Sequence, residues 1–527
     1  MGRKINFGRL MLQLAKQYPD KEALVNIERN RRYTFMELHL LTNKICNMMK
    51  DRFGMGRGDI YLNILENDST SIFSWWMLKQ KACAAWANYR DSMAEHLWMV
   101  DFIKPKLVFI ENVKLNEYYA PLRERGVEII CMDPLQEKQE GVHSFWELLE
   151  NASDAETGVE HDCDEDTVLY RFTGGTTGQG KCCMYTVSNA LYPMYGFWDH
   201  AENLMPHHTR HLHVTPLSHA SSLLVLPLYF KGATSITMNP PDLKAFCTYV
   251  QQEKITHTVL IPTILYRFLE FDLHKMFDLT SLETIFYGTS PMDPVKLEGL
   301  LQKFGNVFVQ AYGSSEAYPP VTFLGKAEHM DRSDEGVKRL LSCGKPVAGY
   351  EVAIFNDEGR ELPVGEQGEM WLRGAGTIKG YYKNPEATKT ELTADGWWKS
   401  GDMGYMDKKG YAYIVDRKKN MIISGGFNVY STEVESALLS HPAVLMAAVI
   451  GIPHKEWGEA VHAEVVLKEG ATVSESELME LVKQMRGAIK SPKSIAFVKE
   501  LPQSAVGKIL HKIIREKYWK GQARRVS

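Results

Sequence analysis

Short β-branched and aromatic runs alternate with amphipathic stretches of helical period through most of the chain. That alternation restricts it to layered α/β structure with largely parallel sheet. Thr167–Phe172, His211–Thr215, His257–Ile261, Thr284–Tyr287 and Val307–Ala311 have the residue content of strands, and Leu243–Gln252 and Val295–Phe304 between them have helical spacing. From about Val352 the texture changes to short strands with Gly-rich turns, as in Glu369–Gly374 and Tyr411–Asp416, which predicts a small β-rich subdomain. Asp416 to Asn420 is a charged connector, and strand and helix patterns start afresh after it. Thr432 with Glu435, and Ser474 with Glu477, have capping-box spacing ahead of apolar runs. In the second helix Leu478, Leu481, Val482 and Met485 fall on one face.

Composition removes several classes. A chain of 527 residues suggests three to four compact units at about 150 residues each. It is 44% hydrophobic and 24% charged, too apolar for disorder, and its net charge of −4 gives no field suited to nucleic acid or an anionic membrane. Leu223–Phe230, the longest apolar stretch, is interrupted by Pro227 and is too short to span a bilayer. The N-terminus has no apolar signal-peptide core, and Asn6 stands where a myristoylation signal needs Ser or Thr. A soluble, cytoplasmic protein is expected. Eight cysteines without a CxxC pair are expected to be reduced and buried.

The strongest local signal follows the strand ending at Phe172. Thr173, Gly174, Gly175, Thr176, Thr177, Gly178 and Lys181 stand within nine residues. Glycines let several N–H groups converge, while threonine hydroxyls and a lysine add donors for phosphate oxygens. Gly175 to Lys181 also fits GxxxxGK, the front of a P-loop, but Cys182 stands where a Mg²⁺-binding hydroxyl should follow. The loop predicts phosphate binding and leaves the nucleotide fold open.

Four further segments decide between these. They are Tyr312–Ala317, Gly396–Asp402, Asp416–Asn428 and Pro502–Lys508. In this order, with the loop at 173–181, they resemble the adenylate-forming enzymes, the superfamily of acyl-CoA and aryl-CoA synthetases, adenylation domains and firefly luciferase. The resemblance covers nearly the whole chain and favours the acyl-CoA synthetase branch. It implies an N-terminal domain of layered α/β subdomains over 1–418, β-rich from about 350, and a small mobile α+β C-terminal lid over 419–527. It also implies two half-reactions. A carboxylic acid attacks the α-phosphorus of Mg·ATP to give an acyl-adenylate and pyrophosphate, and the thiol of CoA then displaces AMP.

Residue roles follow from the same resemblance. Thr173, Gly174, Gly175, Thr176, Thr177, Gly178 and Lys181 would hold the β- and γ-phosphates. Glu316, with Thr176, would place Mg²⁺. Tyr312 would stack on adenine, Gly288, Thr289 and Ser290 would line it, and Gly313 and Ser315 would border the α-phosphate and the acid. Asp402 would accept the ribose hydroxyls beside Arg417, and Lys508 would reach the carboxylate and α-phosphate. Lys419 would be the hinge, and Gly425 and Gly426 would leave a channel for the pantetheine arm of CoA. His219, Tyr287 and Gly313 would contact the acid. Apolar side chains near Ser222–Leu226 and Tyr318–Pro320 point to a hydrophobic acid.

The loop departs from the family pattern at Gly174, Gly180 and Cys182, which predicts weaker ATP binding with the reaction retained. The histidines at 207, 208, 211, 213 and 219 lack a metal-ligand pattern. Two rivals stand beside CoA ligation: adenylation that loads a carrier protein or stops at the adenylate, and a non-catalytic nucleotide-binding protein of the same fold. No nucleic-acid partner is expected, and the protein would be a monomer or homodimer.

Overall fold

The computed structural model describes residues 3–73, 78–173, 180–201, 207–239, 242–271, 273–290, 292–503 and 509–520. Its interior is built from two large sheets. The first runs in the order Gly380–Tyr381, Cys182–Thr186, Thr167–Phe172, Cys83–Trp86, Ile60–Ile64, Leu107–Ile110, Glu128–Cys131 and Val142–Ser144. Six of these strands are parallel, and the Thr167–Phe172 and Cys182–Thr186 pair is an antiparallel hairpin that brackets the Gly/Thr loop. The second sheet centres on Phe308–Tyr312, Thr284–Gly288, His257–Leu260, Arg210–His213, Thr234–Thr237 and Glu22–Asn26, all parallel. Every strand expected in this region forms, with ends shifted by one or two residues.

Helices cover the faces of these sheets because their apolar stripes need burial. Leu243–Glu253 and Pro294–Phe304 bury Phe246, Cys247, Val250, Leu297, Leu300 and Leu301 against one face of the second sheet. Asp242 and Asp293 cap them by accepting the N–H of Ala245 and Lys296.

Beyond residue 350 an antiparallel sheet of Tyr350–Phe355, Gly368–Gly374, Trp398–Met406 and Ala412–Arg417 forms the β-rich unit. A further sheet of five strands begins at Ile422–Ser424 and includes the long hairpin Val444–His454 with Gly458–Leu467. Its core of Ile422, Val434, Leu438, Val449, Val461, Leu478 and Val482 is separate from the cores of the two large sheets.

Two local expectations are corrected here. Thr432 does not cap its helix. The helix Ser431–Leu439 starts after Tyr430, and Thr432 donates its hydroxyl to Val415 O. The capping acceptor comes from another strand: Asp416 Oδ2 takes the Ser431 hydroxyl at 2.8 Å and the N–H groups of Ser431 and Thr432. Glu435 is spent elsewhere, on Val449 N at 2.8 Å and His511 at 2.6 Å. Ser474 does cap Glu475–Arg486, but only Leu478 and Val482 of the expected stripe are buried, and Met485 in the last turn is exposed.

All eight cysteines are buried and unpaired. No helix among the described residues is long and apolar enough to cross a membrane.

Candidate active site

The hairpin Thr167–Phe172 and Cys182–Thr186 closes the base of the Gly/Thr loop. Thr173 N donates to Lys181 O at 2.8 Å, and Lys181 N donates back to Thr173 Oγ1 at 3.3 Å. Gly174, Gly175, Thr176, Thr177 and Gly178 lie outside the described residues.

At the foot of the loop the Lys181 ammonium pairs with Glu391 at 2.5 Å and lies 4.6 Å from the centre of the Tyr381 ring. The Tyr381 hydroxyl donates to Glu391 Oε2 at 2.6 Å and stands 3.3 Å from Glu316 Oε1. Lys181 and Glu316 are therefore linked through two residues that sequence reasoning missed. One signal was present: Glu391 ends the helix Pro385–Glu391, where a negative charge opposes the helix dipole, so its position implies a cation outside the helix.

Glu316 is presented by a tight turn after the strand Phe308–Tyr312. Ser314 Oγ accepts the N–H groups of Glu316 at 3.1 Å and Ala317 at 3.0 Å, and the Tyr185 hydroxyl donates to Ser315 O. Burial raises the carboxyl pKa of Glu316, and Lys181 opposes that rise. Gly313 is required by packing, since a Cβ there would stand 2.6 Å from Pro319 Cγ. At the neighbouring strand end a Cβ on Gly288 would meet Ala311 O at 2.3 Å, and Thr289 holds φ at +67°. Left-handed backbone at a β-branched residue is strained, and such strain concentrates at functional sites.

Three more of the expected residues are brought together from two sheets. Tyr312 donates its hydroxyl to Asp402 Oδ2 at 2.5 Å, and Arg417 Nε pairs with Asp402 Oδ1 at 2.8 Å. Asp402 and Arg417 face each other across one antiparallel register, and both are anchored to Ser400. Ser400 Oγ accepts Asp402 N–H at 2.9 Å, and Ser400 O accepts Arg417 Nη1 at 3.1 Å. Asp402 is buried, and its charge raises the pKa of the Arg417 guanidinium. Burial and the same carboxylate push the Tyr312 hydroxyl well up, so it remains a donor.

The remaining expected residues separate into groups. His219 stands immediately before a short helical turn, Ala220–Leu224, with Nδ1 3.2 Å from Ser218 Oγ. Tyr287 is a correction: it is buried in the core on the helix-covered face, its hydroxyl bonded to His329 Nε2 at 2.9 Å. Strand alternation sends Phe286, not Tyr287, to the opposite face. Lys419 is exposed in the turn after Arg417. Gly425 and Gly426, at φ +58° and +84°, make the tight turn before Phe427, and Gly425 N donates to Trp457 O at 3.0 Å. Ser290 is described and Lys508 is not. Of the histidine-rich stretch, His211 and His213 are buried and His208 pairs with Glu283 at 3.0 Å. Among the described residues no three His, Cys, Asp or Glu side chains are placed to hold a metal ion.

This geometry brings together a carboxylate, a tyrosine and an arginine, with a separate lysine and glutamate at the base of the Gly/Thr loop. The family model described as AMP-binding enzyme matches residues 12–382, and the model described as AMP-binding enzyme C-terminal domain matches 433–508. The chain belongs to this family of AMP-binding enzymes. It is 38% identical over 376 residues, 70% of its length, to a medium/long-chain-fatty-acid–CoA ligase of Mycobacterium tuberculosis, and that match spans 64% of the mycobacterial protein. It is 31% identical to a 2-succinylbenzoate–CoA ligase of Bacillus licheniformis, over 95% of this chain and 98% of that one. Among solved structures, ATP-bound MatB from Rhodopseudomonas palustris superposes with a TM-score of 0.86 at 25% identity, covering 98% of this chain and 99% of the other. The family match accounts for two large sheets followed by a β-rich unit and a small C-terminal unit.

Proposed function

We propose that this protein is an ATP-dependent acid–CoA ligase that forms an acyl-adenylate and then an acyl-CoA. The observation that carries the reading is the meeting of Tyr312, Asp402 and Arg417 at the seam of two sheets, with Glu316 one turn beyond Tyr312. Asp402 has acceptor oxygens for a ribose diol, and Tyr312 has a ring for the base. Thr173 and Lys181 stand at the base of the phosphate loop, where backbone N–H groups and a cation neutralise phosphate charge. Lys508 would bring a positive charge to the carboxylate and α-phosphate during the first half-reaction.

Mg²⁺ enters with ATP. Glu316, whose hard carboxylate oxygens make no ion pair among the described residues, fits it, with Thr176 as second ligand; the ion would supply neutralisation of phosphate charge. The connector after Arg417 would let residues 419–527 turn against 1–418, with Lys419 as the pivot and Gly425 and Gly426 admitting the pantetheine arm. His219 and Gly313 would border the acid, and the fatty acid of the mycobacterial relative supports a hydrophobic substrate.

The reading is tested by acid-dependent ATP–pyrophosphate exchange and by the dependence of AMP release on CoA. Replacing Lys508 with Ala should abolish exchange while CoA transfer from supplied acyl-adenylate persists; equal loss of both would sink its role. Exchange with AMP release that ignores CoA would favour the rival in which the adenylate goes to another acceptor.

A further inference from the structure

Arg171 stands next to last in the strand that opens into the phosphate loop, and it is 5% exposed. None of the ion pairs among the described residues includes it. Its guanidinium instead holds backbone. Nε donates to Ser218 O at 3.1 Å, and Nη2 donates to His219 O at 2.7 Å and to Ser222 Oγ at 2.6 Å. Ser222 Oγ donates in turn to His219 O at 2.8 Å, and the guanidinium lies 5.5 Å from the centre of the Tyr318 ring.

A buried cation without a carboxylate is costly, and an apolar side chain of similar volume would serve packing better. Its neighbours on the strand, Val168, Leu169 and Phe172, are the apolar residues such a position usually carries. Two consequences follow from placing a charge here. The forked donors fix two consecutive carbonyls of residues 216–222, the segment that carries His219, against the strand leading to the phosphate loop. The positive charge also stays partly uncompensated where low dielectric carries its field further, which favours an anion nearby.

We infer that Arg171 is a positioning residue for the acid half of the adenylation site, registering segment 216–222 against the strand Thr167–Phe172 and biasing the pocket toward a carboxylate. This rests on the function proposed above. The family motif that marks the loop begins at Thr173, so nothing in it assigns a role to Arg171.

The test is steady-state ATP–pyrophosphate exchange with wild type, Arg171→Met and Arg171→Lys, with ATP affinity measured separately in the absence of acid and thermal stability recorded for each. Arg171→Met should raise the KM for the acid about 10- to 100-fold, the cost of losing hydrogen bonds from a charged group, while ATP affinity stays within about threefold. Arg171→Lys keeps the charge but loses the fork, and should raise the acid KM about three- to tenfold. If Arg171→Met fails to fold, the lysine variant decides alone. An unchanged acid KM in Arg171→Lys, or a loss of acid and ATP affinity in equal measure, overturns the inference. A wild-type protein that exchanges with no acid would instead overturn the functional reading on which it rests.

Discussion

Tyr312 and Asp402 belong to strands of different sheets and are joined by a 2.5 Å hydrogen bond, the tyrosine donating. That bond ties the β-rich unit to the end of a parallel strand, which is where open α/β sheets present ligands, and the 2.8 Å pair with Arg417 holds Asp402 in place within its own sheet. The site we propose for the nucleoside is therefore also an inter-sheet contact.

Asp402→Asn should lower kcat/KM for ATP by about 10- to 100-fold, because a buried acceptor of charge-assisted hydrogen bonds is neutralised and Arg417 loses its partner. Tyr312→Phe, which keeps the ring and loses the hydroxyl, should cost about tenfold or less. Kinetics at saturating acid separate the two; equal effects would mean that Asp402 acts only as the partner of Tyr312.

Under the proposed function Glu391 would compete with phosphate for Lys181. Both side chains are about a quarter exposed, at 27% and 28%, so the pair adds at most about 1 kcal/mol to stability. Glu391→Gln should leave the melting temperature nearly unchanged and lower the KM for ATP about three- to tenfold. A rise in that KM would show that Glu391 orients the lysine instead of competing for it.

Asp416 caps the helix Ser431–Leu439 from the strand that precedes the connector. Burial, with Glu435 nearby, pushes its carboxyl up to about 6. Asp416→Ala should cost about 1–3 kcal/mol, the range for losing a cap and leaving buried donors unpaired, and should loosen residues 431–439 first. Hydrogen exchange of those amides is the direct readout; protection unchanged from wild type would contradict the capping role.

Acid should unfold the protein through its buried histidines. Burial lowers His96 and His329 to about 4 and His213 to about 3, and sends His211 well below 6.5. Each is neutral when folded and gains a proton on unfolding, so its contribution is complete above pH 6.5 and is lost as pH falls toward 4. The slope is about 1.4 kcal/mol per pH unit for each histidine. His511 has the opposite sign: although burial works against its charged form, Glu435 raises its pKa, and its contribution fades as pH rises through that value. Urea midpoints should therefore fall steeply between pH 7 and pH 5; a flat profile would contradict the burial of these rings.

Sequence patterning identified the interior strands because their apolar runs are set by burial on both faces, a local property. Motif order likewise brought Tyr312, Glu316, Asp402 and Arg417 onto one candidate site. What it missed depends on contacts between distant segments. Thr432 has the spacing of a cap, yet Asp416, fifteen residues earlier than Ser431, reaches the helix first. Tyr287 is adjacent to residues expected at the site, but strand alternation turns it into the core. Arg171 carries no local signature of its partners, which lie 47 or more residues away, and the helix-end position of Glu391 implies a cation without naming Lys181, 210 residues away.

The central claim is that one polypeptide couples ATP cleavage to thioester formation. Purified protein with Mg·ATP and CoA, offered carboxylic acids of graded size, should yield acyl-CoA, AMP and pyrophosphate in equal amounts with at least one hydrophobic acid. Acyl-adenylate that accumulates despite CoA, or ATP left uncleaved with every acid, would contradict it.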